Sequence, residues 1–101
     1  MDGVIRVALC QANLPVGDLD GNVARVRQLV ADARAGGAEL VVLPELALTG
    51  YPPEDLLLKT SFVMDADQAL QALASDVHDI VAIVGLPSRA ADGRLRNSAA
   101  V

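Results

Sequence analysis

The sequence predicts an α/β fold, a βαβ unit followed by a helix and then a β-hairpin, on three observations. Short β-prone apolar runs stand at Val4–Cys10, Leu40–Leu43 and Ile80–Val84, the pattern of strands buried on both faces rather than strands with one wet face. Between these runs lie two stretches whose apolar residues recur at helical spacing. Near the end, Asp92 and Gly93 form a tight-turn pair ahead of Leu95–Val101.

The first strand, Val4–Cys10, is almost unbroken and carries only Arg6 as a charge. A loop with Pro15, Gly17 and Asp18 follows. Val23, Val26, Leu29, Val30 and Ala33 then mark one face of a helix, with Arg25, Arg27, Gln28 and Asp32 between them. Asp20 or Asn22 is the expected cap at its start, and Gly36 and Gly37 are the expected stop. Leu40–Leu43, closed by Pro44, is the second strand, and a strand, helix, strand series of this length implies parallel pairing with a right-handed crossover. Glu45 is thereby placed at the C-terminal end of that strand.

From Glu45 to Lys59 the signals are those of turns and extended chain, with Thr49, Gly50, Pro52 and Pro53 before a short apolar turn at Leu56–Leu58. Loops of this length often carry function. Ser61 is the expected cap of a second helix, whose apolar face is Phe62, Ala66, Ala69, Leu70, Leu73, Ala74 and Val77 and whose end falls near His78 and Asp79. Ile80–Val84 is the third strand, and the chain finishes inside a fourth, on Ala99, Ala100 and Val101. An uncapped last strand is an open sheet edge, so the domain is expected to continue past Val101, and residues 1–101 are expected to be the N-terminal portion of one domain.

Composition narrows the function. A chain of 101 residues buries about 60 to 65 per cent of its unfolded surface, so the core is thin. It is built from Ala, Val and Leu, with one Phe, one Tyr and no Trp. The formal charge is −5 and the basic residues are scattered, which argues against a nucleic acid or an anionic membrane as partner. No apolar run reaches the length of a membrane span, and the apolar N-terminal stretch has no basic leader, so the cytoplasm is the expected compartment. Cys10 is the only cysteine and His78 the only histidine. No internal disulfide can form, and no zinc site of the usual kind is expected. Neither a Walker-type loop nor a GxGxxG is present, so nucleotide phosphates are not expected to bind to these residues.

Glu45 is the leading candidate for chemistry. A carboxylate stands directly after a buried strand and before Leu46, Ala47 and Leu48, where the pattern asks for no charge. Ligands of parallel sheets bind outside the carboxyl ends of the strands. Desolvation among apolar neighbours would suit such a Glu to general base work, and the competing reading is a solvated loop glutamate. Cys10 lies near the end of a strand and reads as a buried structural thiol rather than a nucleophile. His78 suits a helix C-terminus, where an imidazolium favours the dipole, and Glu54 and Asp55 suit a helix N-terminus. Tyr51 could stack on or hydrogen-bond a ligand, or simply pack on Pro52.

The residues RVALCQAN at Arg6–Asn13 and ELVVLPELALTGY at Glu39–Tyr51 resemble the start of the nitrilase superfamily of carbon-nitrogen hydrolases. The continuation GYPPEDLLL at Gly50–Leu58 and the hairpin VGLPSRAADGRLRNSAAV, ending at Val101, are similar to one branch, the glutaminase domains of glutamine-dependent NAD synthetases. The resemblance covers nearly the whole chain. It implies an α-β-β-α sandwich in which a Glu, a Lys and a Cys act together. Glu45 matches the Glu, and Lys and Cys are implied downstream of Val101. Cys10 and Lys59, the only lysine, do not match those positions. The implied reaction is glutamine hydrolysis, with the ammonia passed to a separate synthetase domain that uses ATP and magnesium to amidate nicotinic acid adenine dinucleotide. Tyr51 falls in the loop that borders the substrate pocket in such domains, and the complete protein is implied to be a homo-oligomer. Two other readings stand beside this one: a stand-alone nitrilase-type amidase acting on another small amide, and a non-catalytic α/β binding module.

Overall fold

Asp18 sets the start of the first helix. Its Oδ1 accepts the Gly21 N–H at 3.0 Å, satisfying one of the free amides of a first turn. From there α1 runs over Leu19–Ala35 in the computed structural model, which describes residues 3–101. The cap is therefore earlier than either residue expected to supply it. Asp20 lies within the first turn, and Asn22 is fully buried inside the helix. Gly36 and Gly37 do stop α1. Gly37 takes φ +89°, and the Gly37 and Ala38 amides turn back to the carbonyls of Arg34 and Ala33, both at 3.0 Å, the paired bonds of a Schellman ending.

Four strands follow the chain order β1-β2-β3-β4 across one sheet. β1 (Val7–Leu9), β2 (Leu40–Val42) and β3 (Val81–Arg89) are parallel, as the βαβ reading requires, and β4 (Leu95–Ala100) returns antiparallel to β3. The hairpin turn is closed by Gly93 N–H to Ala90 carbonyl at 2.9 Å and by Ala90 N–H to Arg94 carbonyl at 2.8 Å, with Gly93 at φ +84° as the Asp-Gly pair foretells.

The second helix, α2, spans Thr60–Ala74. Lys59 rather than Ser61 occupies its cap position, with no side-chain capping bond. The helix stops before Val77 and His78, where Ser75 hydroxyl donates back to the Ala72 carbonyl at 2.7 Å. β3 is longer than the apolar run at Ile80–Val84 and continues through Pro87. β2 ends at Val42, opposite Ile83, so Pro87 lies where β3 has β4 alone as a neighbour and a missing N–H is tolerated.

Both helices pack on the same face of the sheet. Val23, Val26 and Val30 of α1 and Leu73 of α2 form one apolar core with Val41, Val84 and Leu86. On the opposite face, strand pairing aligns Val7, Leu40 and Val81 in one row and Leu9, Val42 and Ile83 in the next. There Val7 is 42% exposed, Leu9 75% and Val81 50%. The expectation that the first and third strands are buried on both faces therefore fails over these residues. Ala8 and Ala82 reach the helix core, while their neighbours form an apolar face that residues 3–101 leave uncovered.

Candidate active site

β2 delivers the chain to the site. The Leu43 N–H donates to Ile83 carbonyl at 3.0 Å, after which Pro44 and Glu45 leave the sheet. The turn is sharp because Leu46 adopts φ +49°, a left-handed conformation that costs a residue with a side chain about 1–3 kcal/mol. Burial offsets that cost. Leu46, Ala47, Leu48 and Thr49 are 7%, 1%, 0% and 0% exposed, so the first part of the loop expected over Glu45–Lys59 belongs to the core.

Side-chain hydrogen bonds hold the turn. Thr49 hydroxyl donates to the Leu46 carbonyl at 3.2 Å or the Gly50 carbonyl at 3.0 Å. The buried Asn22 amide donates to the carbonyls of Leu48 at 3.1 Å and Pro15 at 2.8 Å, joining this turn to the loop before α1. Gly85 lies beneath. A Cβ there would stand 2.6 Å from the Leu46 nitrogen and 3.0 Å from the Pro44 oxygen, so glycine is what lets β3 pass under the backbone that carries Glu45.

Glu45 itself points away from its apolar neighbours. Val84 and Leu86 face the helices, so Gly85 and Pro87 face the other way. Pro87 pairs with Asn97 and Gly85 with Ala99, which puts Asn97 on the side where the Pro44–Leu46 backbone crosses. There the Asn97 Nδ2 donates to Glu45 Oε1 at 2.5 Å. Glu45 is exposed in this structure. The apolar desolvation expected around it is not supplied by residues 3–101, because Leu46, Ala47 and Leu48 turn their side chains into the core instead. Asn97 was not singled out from the sequence. Its signal was a polar amide inside a β-prone run, a residue type depleted from strands.

The other candidates do not join Glu45. Tyr51 is 63% exposed, and among the described residues no hydrogen bond links it to Glu45. Cys10 continues the β1 pairing through its N–H to the Val42 carbonyl at 2.9 Å and packs against the core. Burial pushes its thiol up, with the Arg25 guanidinium acting in the opposite direction, which is the behaviour of a structural cysteine. His78 does not sit at a helix end, since α2 stops at Ala74; its carbonyl accepts from Arg34 Nη1 at 3.2 Å. Glu54 and Asp55 open a single 3-10 turn, Glu54–Leu58, as their charge suggested. Lys59 is exposed at the start of α2. An apolar cavity of about 550 Å³ opens between α2 and the sheet, lined by Leu70, Leu73, Val77, Val84 and Ala100 among others; it offers no group for catalysis. Among the described residues no three His, Cys, Asp or Glu side chains come together to hold a metal ion, and no helix is long and apolar enough to cross a membrane.

Comparison with known proteins bears on the family and the fold. The family of carbon-nitrogen hydrolases matches residues 6–101. A glutamine-dependent NAD(+) synthetase of Xylella fastidiosa is 44% identical over 91 residues, which is 89% of this chain and 17% of that protein. The chain thus spans about a sixth of the length of the curated relatives it matches. Among solved structures, the glutamine-dependent NAD+ synthetase of Acinetobacter baumannii in complex with ADP superposes with a TM-score of 0.89 at 37% identity, over 96% of this chain and 18% of that one. An amidase from Nesterenkonia sp. AN1 superposes with a TM-score of 0.71 at 28% identity, over 84% of this chain and 34% of that one. In that structure a glutamate-to-glutamine variant shows Michael addition of acrylamide at the active-site cysteine. The mixed α/β arrangement of four strands and two helices is that of the nitrilase-like sandwich in these proteins, seen here as one sheet with its helix layer.

Proposed function

The chain belongs to the carbon-nitrogen hydrolase family, and on that premise we propose that it is the N-terminal portion of a single glutaminase domain, with Glu45 as its general base. In this reading the Glu45 carboxylate takes the proton of a cysteine thiol, and the sulfur attacks the amide carbon of glutamine. A lysine stabilises the oxyanion. The carbon–nitrogen bond breaks, ammonia leaves with the proton held by Glu45, and water then hydrolyses the thioester. In this reading the lysine and the cysteine lie outside residues 1–101, since Lys59 is an exposed residue at the start of α2 and Cys10 packs against the helix-side core. Tyr51, in the loop after the base, is proposed to contact glutamine.

The observation that carries the reading is the placement of Glu45. A left-handed turn over Gly85 presents its carboxylate at the C-terminal end of β2, on the sheet face away from the helices. Parallel sheets place their ligands at that end, and the uncovered apolar rows beside it are suited to a second sheet that would enclose the site. The ammonia is proposed to serve an ATP-dependent, magnesium-dependent amidation of nicotinic acid adenine dinucleotide to NAD. ATP and magnesium would be held by the part of the relatives' length that these residues do not span. A cytoplasmic homo-oligomer is the proposed form of the intact protein.

A stand-alone amidase is the second reading, supported by the likeness to the Nesterenkonia enzyme. The synthetase reading is preferred because those structures agree better in both TM-score and identity. Replacing Glu45 by Gln in the intact protein should lower glutamine hydrolysis by about 10²–10⁴-fold, the range for losing a positioned acid or base. NAD synthesis from free ammonia should be unchanged. Glutamine hydrolysis that survives Glu45→Gln would remove Glu45 from the mechanism.

A further inference from the structure

A general base needs something to hold it. The turn that presents Glu45 fixes its backbone, through Leu46 at φ +49° and the close approach of Gly85, but a glutamate side chain has three further rotatable bonds and is exposed here. Among the described residues, the one side chain that hydrogen-bonds its carboxylate is Asn97, which lies 52 positions later in the sequence. We infer that Asn97 is a positioning residue for Glu45, the third group that orients the base in a nucleophile–base pair. The inference rests on the reading of Glu45 as base.

The chemistry of the amide fits that task. An ionised carboxylate accepts and cannot donate, so it is the Nδ2 of Asn97 that faces it. A lysine or arginine in the same place would bring a positive charge against the carboxylate, favour its ionised form and weaken it as a proton acceptor. Asn orients without charge and does not exchange protons itself in the working pH range. The nearest strand cation in sequence, Arg96, is kept apart, since successive strand residues face opposite sides and its Nη2 lies 3.7 Å from Asp92 Oδ2.

The fold also fixes Asn97. β3 and β4 are paired from Val84↔Ala100 to Arg89↔Leu95 without a break in register. On the opposite face of the hairpin from Asn97, the hydroxyls of Ser88 and Ser98 are hydrogen-bonded at 2.6 Å. A one-residue slip of β4 would turn Asn97 to the helix side, so the hairpin register and the Glu45 turn, both built on β3, together set the contact. Asn is a poor strand residue, and this contact gives it a reason to be there.

The test compares the intact protein with its Asn97→Ala, Asn97→Asp and Asn97→Gln variants, with Glu45→Gln as reference. Asn97→Asp keeps the shape but replaces the donor with a second carboxylate. The expected result is a kcat for glutamine hydrolysis about 10- to 100-fold lower for Asn97→Ala, on the scale of a misplaced catalytic group, and lower still for Asn97→Asp. Asn97→Gln recovers part of the loss, KM for glutamine stays within about twofold, and ammonia-driven NAD synthesis is unaffected. A crystal structure of the Asn97→Ala protein should show the Glu45 carboxylate displaced. If Glu45→Gln abolishes hydrolysis while the Asn97 variants keep kcat, the inference fails and the base reading stands. If ammonia-driven synthesis falls in step with hydrolysis, Asn97 supports the fold and does not position Glu45. If Glu45→Gln is itself fully active, the base reading fails first, and an unmoved Glu45 in the Asn97→Ala crystal would overturn the positioning contact independently of substrate.

Discussion

On the helix side of the sheet, Val41, Val84 and Leu86 are 0%, 4% and 3% exposed; on the other side, Val7, Leu9 and Val81 keep 42%, 75% and 50% of their surface open. Residue type does not separate them, since both faces are built from Val and Leu. What differs is the partner: α1 and α2 seal one face, and residues 3–101 place nothing on most of the other. The Glu45–Asn97 pair lies on that second face. Stability and the proposed chemistry are thus divided between the two sides, and Gly85 and the Leu46–Thr49 turn connect them, because the turn buries its apolar side chains in the core while its carboxylate looks outward.

The comparison predicts where substitutions will be felt. Leu73, at 1% exposed, touches the helix-side core, and Leu73→Ala in the intact protein should cost about 2–5 kcal/mol by urea unfolding. A loss under about 1 kcal/mol would mean that this face is loosely packed. Gly85→Ala should cost about 1–3 kcal/mol through overpacking and should also depress glutamine hydrolysis, because the new methyl meets the backbone of the Glu45 turn. Normal hydrolysis in that variant would disconnect the two faces.

The open face makes a different prediction. A polypeptide of residues 1–101 expressed alone should self-associate through its uncovered apolar rows and the free edge of β4. Leu9→Lys together with Val81→Lys should raise the monomer fraction in analytical ultracentrifugation. A wild-type segment that is monomeric and unfolds cooperatively would show that this face needs no cover. The smallest effect is expected at Cys10. Burial raises its thiol and so lowers the thiolate fraction at neutral pH. Iodoacetamide should label it more slowly than a free cysteine at pH 7, with the rate climbing as pH passes above the ordinary thiol range. Cys10→Ser should leave glutamine hydrolysis unchanged; labelling as fast as free cysteine would contradict the structural assignment.

Much of this arrangement was legible in the amino-acid order. The apolar runs and the Gly36–Gly37 stop fixed the βαβ unit, and Asp92–Gly93 fixed the hairpin, because these are local signals. Apolar run length shows which residues avoid water but not which face the rest of the fold covers, so it does not reveal that Val7, Leu9 and Val81 stay open. The cap of α1 was missed because Asp18 and Asp20 are equivalent by composition, and the bond to the Gly21 amide decides between them. Glu45 was visible as a charge out of place. Leu46–Leu48 are its neighbours in sequence but not its surroundings in space, because φ +49° at Leu46 sends them the opposite way. Asn97 was invisible as a partner because its contact with Glu45 depends on hairpin register and on the space over Gly85, neither of which any local pattern encodes.

The central claim, that Glu45 serves a glutaminase whose ammonia enters NAD, is tested most directly by isotope transfer. The intact protein would be supplied with glutamine labelled with ¹⁵N at the side-chain amide, together with nicotinic acid adenine dinucleotide, ATP and magnesium, and the product analysed by mass spectrometry. The account predicts ¹⁵N in the carboxamide of NAD, lost in the Glu45→Gln variant and replaced by unlabelled nitrogen when excess ammonia is added. An intact protein that hydrolyses other small amides and forms no labelled NAD would contradict it and leave the stand-alone amidase in its place.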